Sequence, residues 1–283
     1  RGIVLKKILI KILPKIIGTQ INAMSLWSKK TAARKAFLIF CTPRGGRIKE
    51  DQKDFLDAAK DVQLKINEKT TVQTYRWEGT GPTVLLVHGW ESNAHRWWKL
   101  VNVLQKQNYN IISFDAPAHG NSTGKILNVP LYTESLQMVS QHYKPEVHVG
   151  HSIGALTTIF HYYTHQPDYI KKLVSLGAPS ELSEIMKDYQ NILSMNNRVM
   201  KGIDVLVQQR FGFSVDAFSG YNFARSIDVP GLIIHDLYDR ITPVEASRGI
   251  HKNWKGSTYI ETSGLGHSLY QDEVRNHIVE FIK

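Results

Sequence analysis

The sequence predicts an α/β fold in which a mostly parallel, twisted β-sheet is flanked by helices. Short, continuous apolar runs, each ending in small or polar residues, recur from residue 84 onward. Helical patterns separate most of these runs. Such runs are typical of strands buried on both faces, and their alternation with helices favours a parallel sheet. The predicted central strands are residues 84–87, 111–114, 147–149, 173–176, 232–234 and 258–260.

A hairpin and a helical region are predicted before these strands. Residues 62–66 and 72–77 alternate apolar and polar side chains, as expected of a hairpin with one exposed face. Helical spacing of apolar residues precedes the hairpin. We therefore expect a basic helical extension over residues 1–61 and an α/β domain over residues 62–283.

One long segment interrupts the alternation of strands and helices. Residues 181–225 are helical in pattern and contain three of the five methionines, Met186, Met195 and Met200. Adaptable apolar residues inserted between two strands are typical of a cap over a binding site. An additional helical layer that does not contact substrate is the alternative interpretation.

The composition is that of a globular protein with a sizeable core. The chain has 283 residues, of which 42% are hydrophobic and 21% are charged. The single cysteine, Cys41, excludes an intramolecular disulfide and fits a reducing compartment, so we expect a cytoplasmic location. No CxxC pair or zinc-finger spacing occurs, and we expect no metal.

The net charge of +10 originates in the N-terminal segment. Residues 1–49 contain 12 Lys and Arg and no Asp or Glu, which leaves 23 basic and 25 acidic residues in the rest of the chain. Lys7, Lys11 and Lys15 are spaced by four, and the lysines interrupt the apolar runs before they reach the length of a membrane span or a signal-peptide core. Two interpretations stay open. Residues 1–40 include a helix that lies on an anionic membrane surface, or the helix packs on the protein body with solvated lysines.

A nucleic-acid partner is not expected, because the basic segment lacks aromatic platforms or a reading motif. The sequence does not determine the oligomeric state.

A G-x-S-x-G sequence marks the first candidate for chemistry. Gly150-His151-Ser152-Ile153-Gly154 follows a predicted strand and precedes a predicted helix. In that context a tight, strained turn exposes the serine hydroxyl, and flanking glycines let neighbouring backbone approach closely. The helix N-terminus that follows favours developing negative charge. We therefore predict Ser152 as a nucleophile.

A serine nucleophile requires a base and an orienting carboxylate. In a fold of this kind they follow the serine in the order acid, then histidine, each at the carboxyl end of a strand. Asp236 and Asp239 follow one strand, and His267 follows the next. We favour Asp239 as the acid because a few residues of loop are needed to reach the histidine. The predicted triad is Ser152, Asp239 and His267.

Two backbone amides are candidates for an oxyanion hole. The N–H of Ile153 follows the nucleophile, and the N–H of Trp90 follows the His88-Gly89 pair after an earlier strand. We expect Gly89 to permit the backbone conformation that directs this amide inward, and His88 to order the loop. Candidate substrate-pocket residues are Trp97, Trp98, His151 and Met186, although aromatic clusters are more often core.

These motifs resemble the α/β-hydrolase superfamily, in its branch of serine esterases, lipases and acyltransferases. The resemblance covers residues 72–283 and is strongest at His88–Trp90, at the loop that begins with Phe114 and Asp115, and at the three triad positions. It implies the α/β-hydrolase fold with Asp239 as the acid. Because the nucleophile position holds serine, the resemblance does not favour epoxide hydrolases or haloalkane dehalogenases.

The sequence and the resemblance together predict hydrolysis of a small, lipophilic carboxylic ester through an acyl-enzyme, without a cofactor. The alternatives are an acyltransferase that uses the same triad and a ligand-binding receptor or scaffold on a hydrolase fold.

Overall fold

In the computed structural model, an eight-stranded sheet confirms the predicted α/β fold with its mostly parallel sheet. The strand order is β1-β2-β4-β3-β5-β6-β7-β8. Strand β2 is antiparallel to both of its neighbours. The other six strands, in the order β4-β3-β5-β6-β7-β8, are parallel to one another. The strands are β1 (Lys60–Asn67), β2 (Thr70–Trp77), β3 (Thr83–Val87), β4 (Asn110–Phe114), β5 (Val147–His151), β6 (Lys172–Leu176), β7 (Gly231–Asp236) and β8 (Ser257–Thr262).

Eleven α-helices are assigned in the described part of the chain. They are α1 (Gly2–Trp27), α2 (Lys29–Cys41), α3 (Lys53–Asp57), α4 (Trp98–Gln105), α5 (Val129–Tyr143), α6 (Ile153–His165), α7 (Leu182–Leu193), α8 (Asn197–Phe211), α9 (Gly220–Ala224), α10 (Val244–Asn253) and α11 (Asp272–Ile282).

The central strands are buried on both faces, which explains their continuous apolar sequences. In β3, Val84 and Leu86 belong to a core that includes residues of α4 and α11. Leu85 and Val87 point the other way, into a core that includes residues of α5. Both faces of a parallel sheet are buried because the helices that connect its strands pack on both faces.

Strand β2 differs from the half-exposed strand that its alternating sequence predicts. It lies inside the sheet, between β1 and β4, and six of its eight residues are buried. Its polar side chains find partners there: the Thr74 hydroxyl donates to the Val62 carbonyl at 2.9 Å. Strand β1, the edge strand of this hairpin, has the exposure expected of that position.

The chain forms two compact units. The helical unit consists of Arg1–Thr42 and Glu181–Ser219, and the sheet unit consists of Pro43–Ser180 and Gly220–Lys283. The structure describes residues 2–283, with side chains from residue 12 onward. Lys7 and Lys11 of the predicted lysine stripe therefore lie outside the described side chains.

The N-terminal helices pack together with α7 and α8 in the helical unit. Gly18 of α1 lies so close to α7 that an added Cβ would be 1.6 Å from the Leu193 carbonyl oxygen. The Tyr189 hydroxyl of α7 donates to the Ala36 carbonyl of α2 at 2.8 Å. These boundaries differ from the expected extension over residues 1–61 and cap over residues 181–225, because both segments contribute helices to one shared core.

Candidate active site

Ser152 occupies a sharp turn between β5 and α6. Its φ of 55° and ψ of −127° place a non-glycine residue in a strained conformation. Its N–H donates to the Leu176 carbonyl at the end of β6 at 2.8 Å, which ties the turn to the neighbouring strand. The serine is thus presented at the carboxyl edge of the sheet.

The two glycines of the G-x-S-x-G sequence are required by close contacts. A Cβ on Gly150 would lie 2.5 Å from the Ala155 Cα, and one on Gly154 would lie 2.4 Å from the carbonyl oxygens of Val87 and His88. Neither contact can be relieved by a side-chain movement, because the opposing atoms are backbone. Helix α6 therefore packs directly on strands β3 and β5 only when both positions lack a side chain.

His267 bridges the serine and the carboxylate. The Ser152 Oγ lies 3.0 Å from His267 Nε2, and His267 Nδ1 lies 2.7 Å from Asp239 Oδ2. An ionised carboxylate only accepts, so Nδ1 carries the proton and Nε2 presents a lone pair to the serine hydroxyl. The structure thus joins the three predicted residues by hydrogen bonds in the order that proton transfer from serine requires.

Asp239 is held as a carboxylate by four donors. Oδ1 accepts the N–H groups of Ile241 and Thr242 at 2.8 and 3.0 Å, and Oδ2 accepts from His267 and His235. Burial alone raises the pKa of Asp239, but hydrogen bonds from the two histidines and the two amides lower it well below its usual range. Asp239 therefore stays negative beside His267 across the neutral pH range.

His235 is a partner of the carboxylate that sequence reasoning missed. Its Nε2 lies 3.2 Å from Asp239 Oδ2 and 3.0 Å from the Thr242 carbonyl oxygen, while Nδ1 contacts the Ser247 hydroxyl at 2.6 Å. Both neighbours of Nε2 are acceptors, so Nε2 carries the proton and donates to them. His235 thereby shares Oδ2 with His267 and helps to fix the orientation of the carboxylate. Its position four residues before Asp239 is the one sequence signal for this contact.

Asp236, the rejected candidate for the acid, has a separate environment. Its Oδ2 accepts from the Thr262 hydroxyl at 2.9 Å and from the Leu265 N–H at 2.8 Å. Burial raises the pKa of Asp236, but these bonds and those from the Tyr238 and Gly266 amides lower it overall. Asp236 therefore orders the loop that carries His267 and does not contact the imidazole.

Two further side chains donate hydrogen bonds to the backbone of the loop that carries His267. His151 Nε2 donates to the His267 carbonyl at 2.8 Å, and the Arg96 guanidinium donates to the Ser268 carbonyl at 2.7 Å. The His151 ring is nearly buried, and burial together with the nearby Arg96 charge lowers its pKa well below the usual value. His151, expected as a pocket residue, thus links the nucleophile turn to the base. No local pattern predicts this, because the partners are 116 residues apart.

The candidate oxyanion amides lie on the segments that flank Ser152. An added Cβ on Gly89 would be 3.1 Å from the Ser152 Cβ, so the backbone leading to Trp90 passes directly beside the nucleophile. The φ of Gly89 lies outside the left-handed region, so this position needs a glycine for space and not for an unusual backbone conformation. Within the described residues, neither the Trp90 nor the Ile153 N–H has a hydrogen-bond acceptor.

His88 orders the same loop, as predicted. Its Nε2 accepts the Ala116 N–H at 2.9 Å, and its Nδ1 donates to the Gly89 carbonyl at 2.7 Å. Burial lowers the pKa of His88 to about 3, so the ring is neutral and serves as a fixed connector.

The remaining pocket candidates occupy different places. Trp97 is buried in the main core and lines a small cleft with Leu176 and Leu269. Trp98 is partly exposed, and the Lys99 ammonium lies 5.4 Å from its ring centre. Met186 is buried within the helical unit. The part of the chain with described side chains contains no group of three or more His, Cys, Asp or Glu that could hold a metal ion.

Comparisons with known proteins agree with this fold. The family described as the alpha/beta hydrolase fold matches residues 82–204. A non-heme haloperoxidase of Rhodococcus erythropolis is 24% identical over 264 residues, which cover 74% of this chain and 95% of the relative. An (R)-3-hydroxydecanoyl-ACP:CoA transacylase of Pseudomonas putida is 22% identical over 272 residues, with 80% and 91% covered.

A solved structure shows the same fold. The Pyrococcus furiosus esterase Pf2001 superposes with a TM-score of 0.64 at 21% sequence identity, covering 85% of this chain and 95% of the esterase.

Proposed function

We propose that this chain is a member of the α/β-hydrolase superfamily and that it hydrolyses carboxylic esters through an acyl-enzyme on Ser152. The observation that carries the proposal is the continuous hydrogen-bonded chain from Ser152 Oγ through His267 to Asp239. Serine is a weak nucleophile by itself, and this arrangement supplies the base and the charge that activate it.

The first half of the reaction forms the acyl-enzyme. Ser152 Oγ attacks the ester carbonyl carbon while His267 Nε2 takes the hydroxyl proton. Asp239 stabilises the resulting imidazolium, because it accepts from Nδ1 and stays ionised. When the tetrahedral intermediate collapses, the C–O bond of the ester breaks and the imidazolium protonates the leaving alkoxide.

The second half releases the acid. A water molecule takes the place of the leaving alcohol, His267 accepts its proton, and the oxygen attacks the acyl carbon. Collapse of this second intermediate breaks the bond to Ser152 Oγ and returns the proton to the serine. The negative oxygen of each intermediate is placed beside the Trp90 and Ile153 N–H groups, which have no other acceptor in the described structure.

The two neighbouring aspartates provide a matched test of the acid assignment. We expect Asp239→Asn to lower kcat for p-nitrophenyl acetate by about 10⁴-fold, because an amide can donate to His267 and thereby select the wrong tautomer. We expect Asp236→Asn to lower kcat less than about tenfold and to lower the free energy of unfolding by about 1–3 kcal/mol, because it loses loop hydrogen bonds only. Initial rates and urea denaturation measure both quantities.

The pair of variants separates two explanations of lost activity. A larger loss of kcat in Asp236→Asn than in Asp239→Asn would identify Asp236 as the acid. Equal losses that follow the loss of stability would mean that neither carboxylate acts directly on the histidine.

Acyl transfer is the second candidate function. It is supported by the similarity to a transacylase over most of both chains. It shares the acyl-enzyme and differs in the group that accepts the acyl chain. For a hydrolase, we expect free acid to remain the main product when a simple alcohol or thiol is added at millimolar concentration. Chromatography of the products measures the partition. A predominance of the new ester or thioester would instead assign the chain as an acyltransferase.

A further inference from the structure

Helix α1 exposes an apolar face and buries its opposite side. Gly18, Ile21 and Ser25 are buried, whereas Trp27 is 85% exposed and Leu26 is 71% exposed. At 3.6 residues per turn, the residues at the centre of the exposed face fall within roughly 60° of one another. They are Ile12, Ile16, Ala23 and Trp27, with Leu13 and Leu26 at the edges, next to the exposed polar residues Thr19 and Gln20.

This distribution differs from that of an ordinary surface helix. A surface helix normally turns its apolar side to the core and its polar side to water. The described part of α1 instead places an apolar strip about 22 Å long on its outer side, at 1.5 Å per residue from Ile12 to Trp27. A contiguous apolar strip of this kind marks an interaction surface.

The charges of the helical unit are mostly positive. Of the 35 basic residues of the chain, 13 belong to the helical unit, together with only 5 of the 25 acidic residues. Lys15 of α1 is exposed, as are Lys30, Arg34 and Lys35 of α2. None of these four side chains forms an ion pair with the described residues.

We propose that the exposed face of α1 lies on the surface of an anionic phospholipid bilayer. The aliphatic side chains enter the boundary of the acyl chains, Trp27 sits at headgroup level, and the lysines and Arg34 contact the lipid phosphates. The helix lies in the plane of the surface and does not cross it. Consistent with this, no helix in the described part of the chain has the length and hydropathy of a membrane span.

A second copy of the chain fits this surface less well. A symmetric contact of the strip with itself would bring Lys15 and Lys30 of one copy towards the same residues of the other. No acidic residue of the first 49 is present to neutralise them. An anionic bilayer provides the missing negative charge together with an apolar layer.

Vesicle binding tests the proposal. The 283-residue chain is mixed with vesicles of phosphatidylcholine alone or of phosphatidylcholine with phosphatidylserine, and the bound fraction is measured by sedimentation. We expect binding to the anionic vesicles that weakens with added salt, much weaker binding to the neutral ones, and a blue shift of Trp27 fluorescence on binding.

Variants of exposed residues separate the apolar and the charged contributions. We expect the Leu26→Ser/Trp27→Ser variant to bind anionic vesicles at least about tenfold more weakly, because it removes two inserted side chains. The Lys30→Gln/Arg34→Gln variant should lose about fivefold per charge. Val62→Ser, which changes an exposed apolar residue on the edge strand, serves as a control that binds like the wild type. Thermal unfolding verifies that each variant is folded.

Three outcomes would overturn the proposal. They are the absence of binding to anionic vesicles, equal binding to neutral and anionic vesicles, and undiminished binding of the Leu26→Ser/Trp27→Ser variant. Concentration-dependent dimerisation that this variant abolishes, in the absence of vesicle binding, would assign the strip to a second copy of the chain.

Discussion

Replacement of Ser152 by alanine is expected to lower kcat for ester hydrolysis by about 10⁴- to 10⁶-fold. The variant removes the atom that attacks the carbonyl, and His267 alone cannot replace it by activating water in the same position. The oxyanion donors and the bound substrate geometry remain, so a small residual rate is expected. Rates with p-nitrophenyl esters of increasing acyl length measure the loss and also reveal the preferred chain length of the wild type.

Ser263→Ala is the matched control for this experiment. Ser263 is exposed, lies in the loop that leads to His267, and forms no described hydrogen bond. We expect its kcat within about twofold of the wild type, because surface substitutions of this kind change little. A fluorophosphonate probe should label the wild type and Ser263→Ala at Ser152 but leave Ser152→Ala unlabelled.

Three results would contradict the proposed mechanism. Unchanged turnover in Ser152→Ala would eliminate Ser152 as the nucleophile. Labelling of another residue in the wild type would place the reactive serine elsewhere. A single turnover with retention of the acyl group would favour a ligand-binding receptor over a hydrolase.

Acid is expected to destabilise the sheet unit, because several of its histidines are buried and have lowered pKa values. The buried histidines of this unit include His88, His119, His148, His151 and His161. Burial lowers the pKa of His88 and His148 to about 3, and it lowers the pKa values of the other three as well. In His88 and His119 the Nε2 atom accepts a backbone N–H, and protonation would break that bond.

The sign of the effect follows from proton uptake on unfolding. In the unfolded chain a histidine has a pKa near 6.5, so between about pH 6.5 and 3 the unfolded state binds more protons and stability falls as pH falls. At pH 5, His88 and His148 each account for a loss of about 2 kcal/mol relative to neutral pH. Above pH 6.5 this contribution to stability is fully present. Asp236 and Asp239 have lowered pKa values in the folded state. Their contribution to stability is therefore lost only when the pH falls below the ordinary pKa range of aspartate.

Urea denaturation at pH 7.5 and at pH 5 measures the loss. We expect His148→Leu to reduce the difference between the two pH values by about 2 kcal/mol, because leucine fills the buried position without titrating. His142→Gln, at an exposed position of α5, should show the same difference as the wild type. A wild-type stability that does not change between the two pH values would contradict the prediction.

Local patterns in the sequence were sufficient for the strands and for the order of the proposed triad residues. A buried strand needs an apolar run of a few residues, and a catalytic loop begins where that run ends. Both features are contained within about ten neighbouring residues. The positions of the strands, the turn at Ser152 and the loops that carry Asp239 and His267 could therefore be predicted before any distance was known.

Only the tertiary structure decided how distant segments meet. Strand β2 has an alternating sequence but lies inside the sheet, because its partners β1 and β4 cover both of its edges. The contact of His151 with the His267 loop depends on side chains that packing brings together. The N-terminal helices share a core with residues 181–219 for the same reason. Sequence periodicity reports which face of an element is buried, but the residues that cover this face are determined by packing over the whole chain.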